Sequence, residues 1–180
     1  MTKKNEGKLF EEDFKNSCTK EDIFFHRIRD VYIPYDLRKR VRVQENPYDS
    51  FVYYNGYLFP MEAKSIKQKS FPLSESMIKQ HQIDNLTKAL DYKGLIPGFL
   101  FNFRIVEETY FLHINDFNNY VEVAKGNKKP DFESKVNQAS VPLSYCREKG
   151  YLFNWDKPRT RYKYHVKDTL NEIVEVYSNV

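Results

Sequence analysis

The dipeptide Asn55-Gly56 lies between two short runs of β-forming residues, 51–54 and 57–59. Asn-Gly in this position favours the two-residue turn of a β-hairpin, because both residues tolerate a positive φ. We therefore predict strands over 51–54 and 57–64, joined by a tight turn. Such a turn sets the register of the hairpin, so the start of the first strand must lie beside the end of the second.

Three charged residues occupy those two neighbouring strand ends. Asp49 precedes the first strand, and twelve residues separate it from Glu62, which is followed two positions later by Lys64. Residues two apart on a strand share a face, so Glu62 and Lys64 project together, whereas Met61 and Ala63 point to the opposite face and fit a core. The hairpin is expected to bring Asp49 close to both.

This group of side chains has a definite chemistry. Two carboxylates held together repel unless a cation joins them, and hard oxygen ligands favour Mg²⁺ or Mn²⁺. Lys64 beside them would orient an attacking water and stabilise negative charge in the transition state. The pattern predicts metal-assisted phosphodiester hydrolysis, although an Asp…Glu-x-Lys spacing alone is weak evidence because charged residues are common.

The rest of the chain alternates between helical and strand patterns. Apolar spacing predicts four helices, at about 8–18, 74–92, 115–123 and 168–177. Aromatic and β-branched runs predict three further strands, at 23–29, 96–103 and 109–114. This order indicates an α/β (α+β) fold in which a central mixed sheet is flanked by helices.

Composition excludes several classes of protein. The chain has 180 residues, of which 16% are aromatic, so one domain over 1–180 with a substantial core is expected. The longest apolar stretch, 95–101, contains Pro97 and Gly98, so we expect no membrane span, and no secretory signal is apparent. Cys18 and Cys146 are too few for a disulfide scaffold or a zinc site, and we expect a reducing cytosol.

An ordered series of short motifs resembles one nuclease family. The motifs are Gly7–Phe14, Asp49 with Glu62-Ala63-Lys64, Ser70–Leu73 before His81-Gln82-Ile83, Phe103-Arg104 before Thr109–Leu112, and Arg161–Tyr164 before the last helix. Together they resemble the RecU-type Holliday junction resolvases, of the PD-(D/E)xK class, and most closely the compact bacteriophage-like members. The resemblance implies a restriction-endonuclease-like core that cuts four-way DNA junctions.

The resemblance also implies roles for individual residues. Asp49 and Glu62 would be metal ligands, and Lys64 would stabilise the transition state. Gln82 matches a glutamine at the metal site, although it also fits as a polar residue on an amphipathic helix. Glu11 matches an acidic residue that points into the site, although it also fits as an exposed helix carboxylate.

One position departs from the family. RecU-type enzymes often have a threonine two residues before the aspartate, where this chain has Pro47, which has no side-chain oxygen. A water or a backbone carbonyl would have to fill that position, or metal binding would be weaker. This departure keeps open a non-catalytic junction-binding accessory protein as an alternative function.

Basic residues cluster around the acidic motif. Candidate DNA contacts are Arg27, Arg29, Arg38, Lys39, Arg40, Arg42, Lys67 and Lys69. Such clusters supply salt-dependent affinity for phosphates. The resemblance implies that about 31–46 forms a projecting stalk that enters the junction, and the alternative is an ordinary solvated face.

A second basic stretch near the C-terminus adds Arg159 and Arg161, with Lys157 and Lys163. Alternation on a strand would put these four side chains on one face, suited to the arms of a duplex. A charged edge strand that resists aggregation is the alternative interpretation.

These observations predict a Mg²⁺-dependent endonuclease, with Mn²⁺ as a possible substitute, acting on four-way branched DNA. Because resolving a junction needs two symmetric nicks, a C2 homodimer is expected. The rival enzyme function is a restriction-like or repair endonuclease with another DNA substrate, because the same core serves several substrates. The sequence does not indicate a recombinase partner.

Overall fold

The computed structural model describes residues 6–29, 34–37, 40 and 46–178. Helices in these residues are α1 (Glu6–Lys20), α2 (Gln80–Ala89), α3 (Ile114–Ala124), α4 (Leu143–Lys149) and α5 (Val166–Tyr177). The strands are β1 (Phe24–Arg27), β2 (Ser50–Tyr54), β3 (Tyr57–Ile66), β4 (Ser70–Pro72), β5 (Gly98–Phe103), β6 (Glu108–His113), β7 (Ser140–Pro142), β8 (Tyr151–Leu152), β9 (Trp155–Asp156) and β10 (Lys163–Tyr164).

A six-stranded mixed sheet forms the centre of the fold, with strand order β1-β2-β3-β5-β6-β8. Strands β3 and β5 are parallel, and the other neighbours in this sheet are antiparallel. Two small sheets, β4–β7 and β9–β10, lie outside it. The predicted fold class, a central mixed sheet flanked by helices, is confirmed.

Alternating side chains of the central sheet pack into two separate hydrophobic cores, one on each face. Phe99 and Phe101 of β5 face one side and pack with residues of α2 and α3. Leu100 faces the other side, where it joins Phe14 of α1 and Leu170 of α5. Because β5 is covered on both faces, every one of its residues is buried, as expected for a central strand.

The predicted hairpin is also confirmed. Asn55 and Gly56 have φ values of 48° and 85°, the left-handed conformation that the Asn-Gly turn favours. Tyr54 pairs with Tyr57, and the ladder runs back to the pair Ser50–Met61. This register determines which residue of β3 lies beside Asp49.

Several elements differ from the prediction. Helix α2 begins at Gln80 rather than at 74, because Met77 and Ile78 donate to the carbonyl of Ser74 in a separate turn and Lys79 is extended. Strands β4 and β7 and helix α4 are absent from the prediction, since they are too short to show a clear period.

The continuous strand expected over 157–163 is wrong. Residues 157–162 instead form the connection between β9 and β10, whose registered pairs are Lys163–Asp156 and Tyr164–Trp155. Arg159 within it has a φ of 120°, which is not an extended conformation. The four basic side chains therefore do not follow one strand face.

No helix in the described parts of the chain is long and apolar enough to cross a membrane. Cys18 and Cys146 are both buried free thiols. The reducing compartment expected from the sequence stays a prediction.

His113 should make the protein less stable in mild acid. It is 2% exposed, its Nδ1 accepts the backbone N–H of Asn115 at 3.3 Å as the N-cap of α3, and its ring packs 4.3 Å from the ring of Tyr177. Burial lowers the pKa of His113 from 6.5 to about 4. The folded protein therefore binds fewer protons than the unfolded chain between these values, and stability is lost as the pH falls through that window.

We expect His113 to contribute a loss of about 3 kcal/mol in the free energy of unfolding between pH 7 and pH 4. Urea denaturation at a series of pH values measures it, with His113→Asn as the comparison because asparagine also caps helices. The variant should lose this part of the pH dependence. An unchanged pH slope in His113→Asn would contradict the assignment.

Candidate active site

Strands β2 and β3 separate just after the pair Ser50–Met61, and this fork holds the acidic residues. Beyond it, β3 continues beside β5, where Glu62 pairs with Phe99. Asp49 bridges the fork: its N–H donates to the carbonyl of Met61 at 3.2 Å, and its Oδ2 accepts the N–H of Ala63 at 3.1 Å. Asp49 is thereby held across from Glu62.

Glu62 is a buried carboxyl group with three polar neighbours. It is 1% exposed, its Oε2 accepts Nε2 of Gln82 at 2.6 Å, and Nζ of Lys64 lies 3.5 Å from the same oxygen. Burial, together with the adjacent Asp49 carboxyl, raises the pKa of Glu62 to about 9, although Lys64 acts in the opposite direction. These effects favour the protonated form of Glu62 in the absence of a cation, and a bound cation would favour the charged form.

The structure thus brings together Asp49, Glu62, Lys64 and Gln82, as the hairpin and the resemblance predicted. Gln82, however, turns its amide nitrogen toward Glu62, while its Oε1 accepts the N–H of Lys79 at 3.2 Å. A nitrogen donor does not ligate a hard cation, so in this orientation Gln82 positions Glu62. Ligation by its oxygen would require the amide to turn over.

Glu11 lies on the other side of Asp49, at the sheet face covered by α1. Its Oε2 forms an ion pair of 2.7 Å with Arg27 of β1. Both residues line a cavity of about 10 Å³ together with Asp49, Ser50 and Ala63. That volume has room for about one water-sized group. Glu11 is therefore adjacent to the acidic fork.

The carboxylates of Asp49 and Glu62 suit a cation that keeps several of its water ligands. Among the described residues, no three His, Cys, Asp or Glu side chains are grouped so that they could hold a metal. Two carboxylates completed by water and substrate phosphates are the usual way in which Mg²⁺ is bound. Pro47, where a threonine was expected, is exposed and adds no side-chain donor.

The backbone carbonyl of Ala63 is a further potential oxygen donor, which the sequence did not reveal. In a strand, the N–H and C=O groups of one residue point to the same edge. Because the N–H of Ala63 donates to Asp49, its carbonyl also faces the fork. No side-chain pattern reveals such a donor, since it depends only on where β2 leaves β3.

The basic residues predicted to bind DNA have different surroundings. Residues that the structure describes as exposed are Arg27, Arg29, Arg40, Lys67, Lys69, Arg159 and Arg161. Three predicted contacts, Arg38, Lys39 and Arg42, lie outside the described residues, as does most of the proposed stalk at 31–46.

Arg161 has an evident structural role. Its Nε donates to the buried Asp13, and another guanidinium nitrogen lies 2.8 Å from Glu12, while the N–H of Tyr162 also donates to Asp13 at 3.2 Å. These bonds fasten the β9–β10 connection to α1. Lys157 is likewise paired with Glu107 at 2.7 Å, so part of this basic stretch is neutralised within the molecule.

The chain is similar to known proteins over most of its length. The family model described as "Recombination protein U" matches residues 37–154, which include the fork and every strand of the central sheet except β1. The chain belongs to the RecU family. The resemblance to the RecU-type resolvase family, predicted from the sequence motifs, is thereby confirmed.

Relatives of this RecU-family chain include a prophage protein. This chain is 41% identical over 176 residues to SPbeta prophage-derived uncharacterized protein YotM of Bacillus subtilis (strain 168), and the match covers 97% of this chain and 90% of that relative. It is 30% identical over 131 residues to Holliday junction resolvase RecU of Streptococcus uberis and 32% identical to that of Streptococcus pneumoniae (strain Hungary19A-6). The chain spans 58% and 59% of the length of these two resolvases.

A solved structure is also similar in part. Hjc of Archaeoglobus fulgidus, a Holliday junction resolvase from an archaeal hyperthermophile, aligns with a TM-score of 0.47 and 13% identity. The alignment covers 78% of this chain and 93% of that chain.

Proposed function

We propose that this RecU-family chain is a divalent-metal-dependent endonuclease that resolves four-way DNA junctions. The observation that carries the proposal is the convergence of Asp49, Glu62 and Lys64 at the fork between β2 and β3. Membership of the RecU family supports the junction as the substrate. The single nuclease domain predicted for 1–180 is part of this proposal.

Asp49 and Glu62 would hold the cation, with the carbonyl of Ala63 as a further oxygen donor. Mg²⁺ or Mn²⁺ bound there would polarise the scissile phosphate and lower the pKa of a bound water. Because the pKa of Glu62 is raised and a metal ligand must be charged, metal affinity should increase with pH. Gln82 holds the carboxylate of Glu62 in place through its hydrogen bond.

Lys64 supplies the positive charge that the reacting phosphate needs. Its ammonium group lies 3.5 Å from Glu62, and its side chain keeps 15% of its surface exposed, so it can reach a substrate phosphate. An ammonium in this partly buried place stabilises the charge that develops in the transition state. Glu11, beside the small cavity next to Asp49, is proposed to act on the same water or cation.

The exposed arginines and lysines are proposed to bind the arms of the junction. Lys67 and Lys69 follow the site residues along the chain just after β3, and Arg27 lines the cavity beside Asp49. Their contacts would be with phosphates, so they would add affinity without reading sequence. Two such sites in a homodimer would deliver the two nicks that resolution requires.

A junction-cleavage assay tests the function directly. Wild-type protein is incubated with a four-way junction and with linear duplex of matched sequence, each with Mg²⁺, with Mn²⁺ and with a chelator. We expect paired nicks in the junction that need either cation and little cutting of the duplex. Equal cutting of both substrates would favour the restriction-like or repair alternative.

Calorimetry with Mn²⁺ separates a catalytic site from a purely DNA-binding one. We expect wild-type protein to bind Mn²⁺ and Asp49→Asn to bind it much more weakly. A junction-binding accessory protein would bind the junction but show neither metal binding dependent on Asp49 nor cleavage.

A further inference from the structure

A cavity of about 270 Å³ lies between the first half of α1 and the connection from β9 to β10. Its volume is just below the range of roughly 300–1,000 Å³ that holds drug-sized ligands, so it suits a smaller one. Some of its lining is buried, namely Phe10, Asp13, Asn102 and Tyr164, and some is exposed, including Lys67, Glu107 and Thr160. The cavity therefore opens to solvent. We call it the Asn102 cavity.

Three aromatic rings line the Asn102 cavity. The ring of Phe10 meets the ring of Tyr164 edge-on at 6.0 Å, and the ring of Tyr162 lies 6.1 Å from that of Tyr164 at 22°. Tyr162 is only partly buried, so it can still present ring surface to a ligand. Aromatic side chains of this kind are platforms on which nucleic-acid bases stack.

The side chain of Asn102 gives the cavity a polar group of fixed orientation. Its Oδ1 accepts the hydroxyl of Ser65 at 2.7 Å, and its Nδ2 donates to the hydroxyl of Thr109 at 2.9 Å. A carboxamide has two N–H groups and two lone pairs, so one donor and one acceptor remain. One donor beside one acceptor is the pattern with which asparagine recognises the edge of adenine.

Two basic residues lie side by side at the end of the parallel strands. The N–H of Arg104 donates to the carbonyl of Ile66 at 2.9 Å, which continues the β3–β5 ladder and places Lys67 beside Arg104. The Nε of Arg104 is buried and has no hydrogen-bond partner among the residues that the structure describes. Since a buried donor is costly without an acceptor, this N–H suits an oxygen of a bound anion.

The acidic residues of the cavity do not oppose an anion, because each is paired with a basic residue of the protein. Glu6 pairs with Arg104, Asp13 pairs with Arg161, and Glu107 pairs with Lys157. Lys67 adds a positive charge beside these pairs. Aromatic rings, an amide and a cationic end together match a nucleotide, which has a planar base and a phosphate.

The Asn102 cavity is close to the acidic fork along β3. Lys67 follows Lys64 by three residues, which span about 10 Å of extended chain. Three nucleotides of a duplex strand cover a similar length. Strand β2 pairs with β3 only as far as Met61, so among the described residues 62–66 have no strand partner on that side. A DNA strand that passes this edge can reach the fork on one face and the cavity on the other.

We propose that the Asn102 cavity holds one unstacked nucleotide of the DNA strand, with its base against Tyr162 and Asn102 and its phosphate at Lys67 and Arg104. The proposal rests on the proposed function in taking DNA as the ligand. A base held there would fix the strand relative to the fork, whereas phosphate contacts alone leave it free to slide.

Binding of a short oligodeoxyadenylate to the full-length protein tests this proposal without metal or cleavage. The comparison ligand is a stable abasic oligonucleotide of equal length, which has the same phosphates but no bases. With a chelator present, we expect the abasic ligand to bind at least about 5-fold more weakly, the lower limit for stacking of one base. Fluorescence anisotropy of labelled ligands measures both affinities.

The single tryptophan reports where the base binds. The Trp155 ring lies 4.9 Å from that of Tyr162, and its indole N–H donates to the carbonyl of Glu107 at 2.6 Å. Because Tyr162 and Glu107 line the cavity, the oligodeoxyadenylate should change the emission of Trp155. The abasic ligand should change it much less.

Tyr162→Leu removes the stacking ring and should reduce the affinity for the oligodeoxyadenylate at least about 5-fold, while its affinity for the abasic ligand stays the same. Tyr162→Phe keeps the ring and should restore binding. Tyr53→Leu is the matched control, since Tyr53 is a 51% exposed tyrosine on β2. Circular dichroism and melting temperature establish that the three variants fold.

Arg104→Met tests the phosphate end of the cavity. We expect it to weaken both ligands alike and to lower the slope of log affinity against log salt by about one, the amount for one phosphate contact. An unchanged slope would remove Arg104 from the proposal.

Three results would overturn the nucleotide site: equal affinity for the two ligands, wild-type binding by Tyr162→Leu, or an equal loss in Tyr53→Leu. Free dAMP that binds as tightly as the oligonucleotide would also overturn it, because the ligand would then be a free nucleotide rather than a DNA strand. If the site binds bases as expected but the protein cuts no junction, the proposed function fails while the nucleotide site stands.

Discussion

Asp49→Ala and Glu62→Ala are each expected to reduce junction cleavage by at least about 1000-fold. When catalytic residues act as one unit, the loss of any one of them removes most of the rate enhancement. Each change removes one of the two carboxylates that meet at the fork. Junction binding should persist, since affinity comes mainly from phosphate contacts of the basic residues. Single-turnover cleavage and a gel-shift assay measure the two properties separately.

Glu62→Gln is a more specific test, because glutamine has nearly the same side-chain shape as glutamate but carries no charge. The substituted amide would keep a polar group beside Gln82 while removing a carboxyl that burial already disfavours in its charged form. We expect the metal-free variant to be at least as stable as the wild type at pH 8, yet inactive. Asp91→Asn, an exposed carboxylate on the chain segment after α2, serves as the control and should cut normally. Retained cleavage in both alanine variants would defeat the assignment of the site.

Gly98→Ala is expected to destabilise the protein by about 3 kcal/mol or more, the upper range for overpacking a core. Gly98 is the first residue of β5, where it pairs with Met61 on one side and His113 on the other. A Cβ there would lie 2.5 Å from the carbonyl oxygen of Leu112 and 2.6 Å from the ring of Phe111. The first of these atoms is backbone, so the strands themselves would have to move apart.

Urea denaturation compares Gly98→Ala with Gly56→Ala. A Cβ at Gly56 meets nothing within 4 Å, but its φ of 85° disfavours alanine, so a cost of about 1 kcal/mol is expected there. The contrast separates steric crowding in the sheet from conformational strain in a turn. A Gly98→Ala variant within about 1 kcal/mol of the wild type would contradict the close approach of β5 and β6.

The hairpin could be predicted because its determinants are local. Asn55-Gly56 specifies the turn, and alternation then places Glu62 and Lys64 on one face. The position of Asp49 followed from the same register. By contrast, residues 157–163 alternate in sequence yet do not form one continuous strand: residues 157–162 are a connection, in which Arg161 and the N–H of Tyr162 are bonded to Asp13 of α1.

The sequence by itself determined the hairpin, the acidic motif and the membership of a nuclease family, since each rests on neighbouring residues or on an ordered series of motifs. Only the tertiary structure decided the raised pKa of Glu62, the orientation of Gln82 and the partners of Glu11 and Arg161. The physical reason is that burial, charge pairing and helix coverage depend on residues distant in the chain. Such distances become short only when the sheet and its helices are assembled.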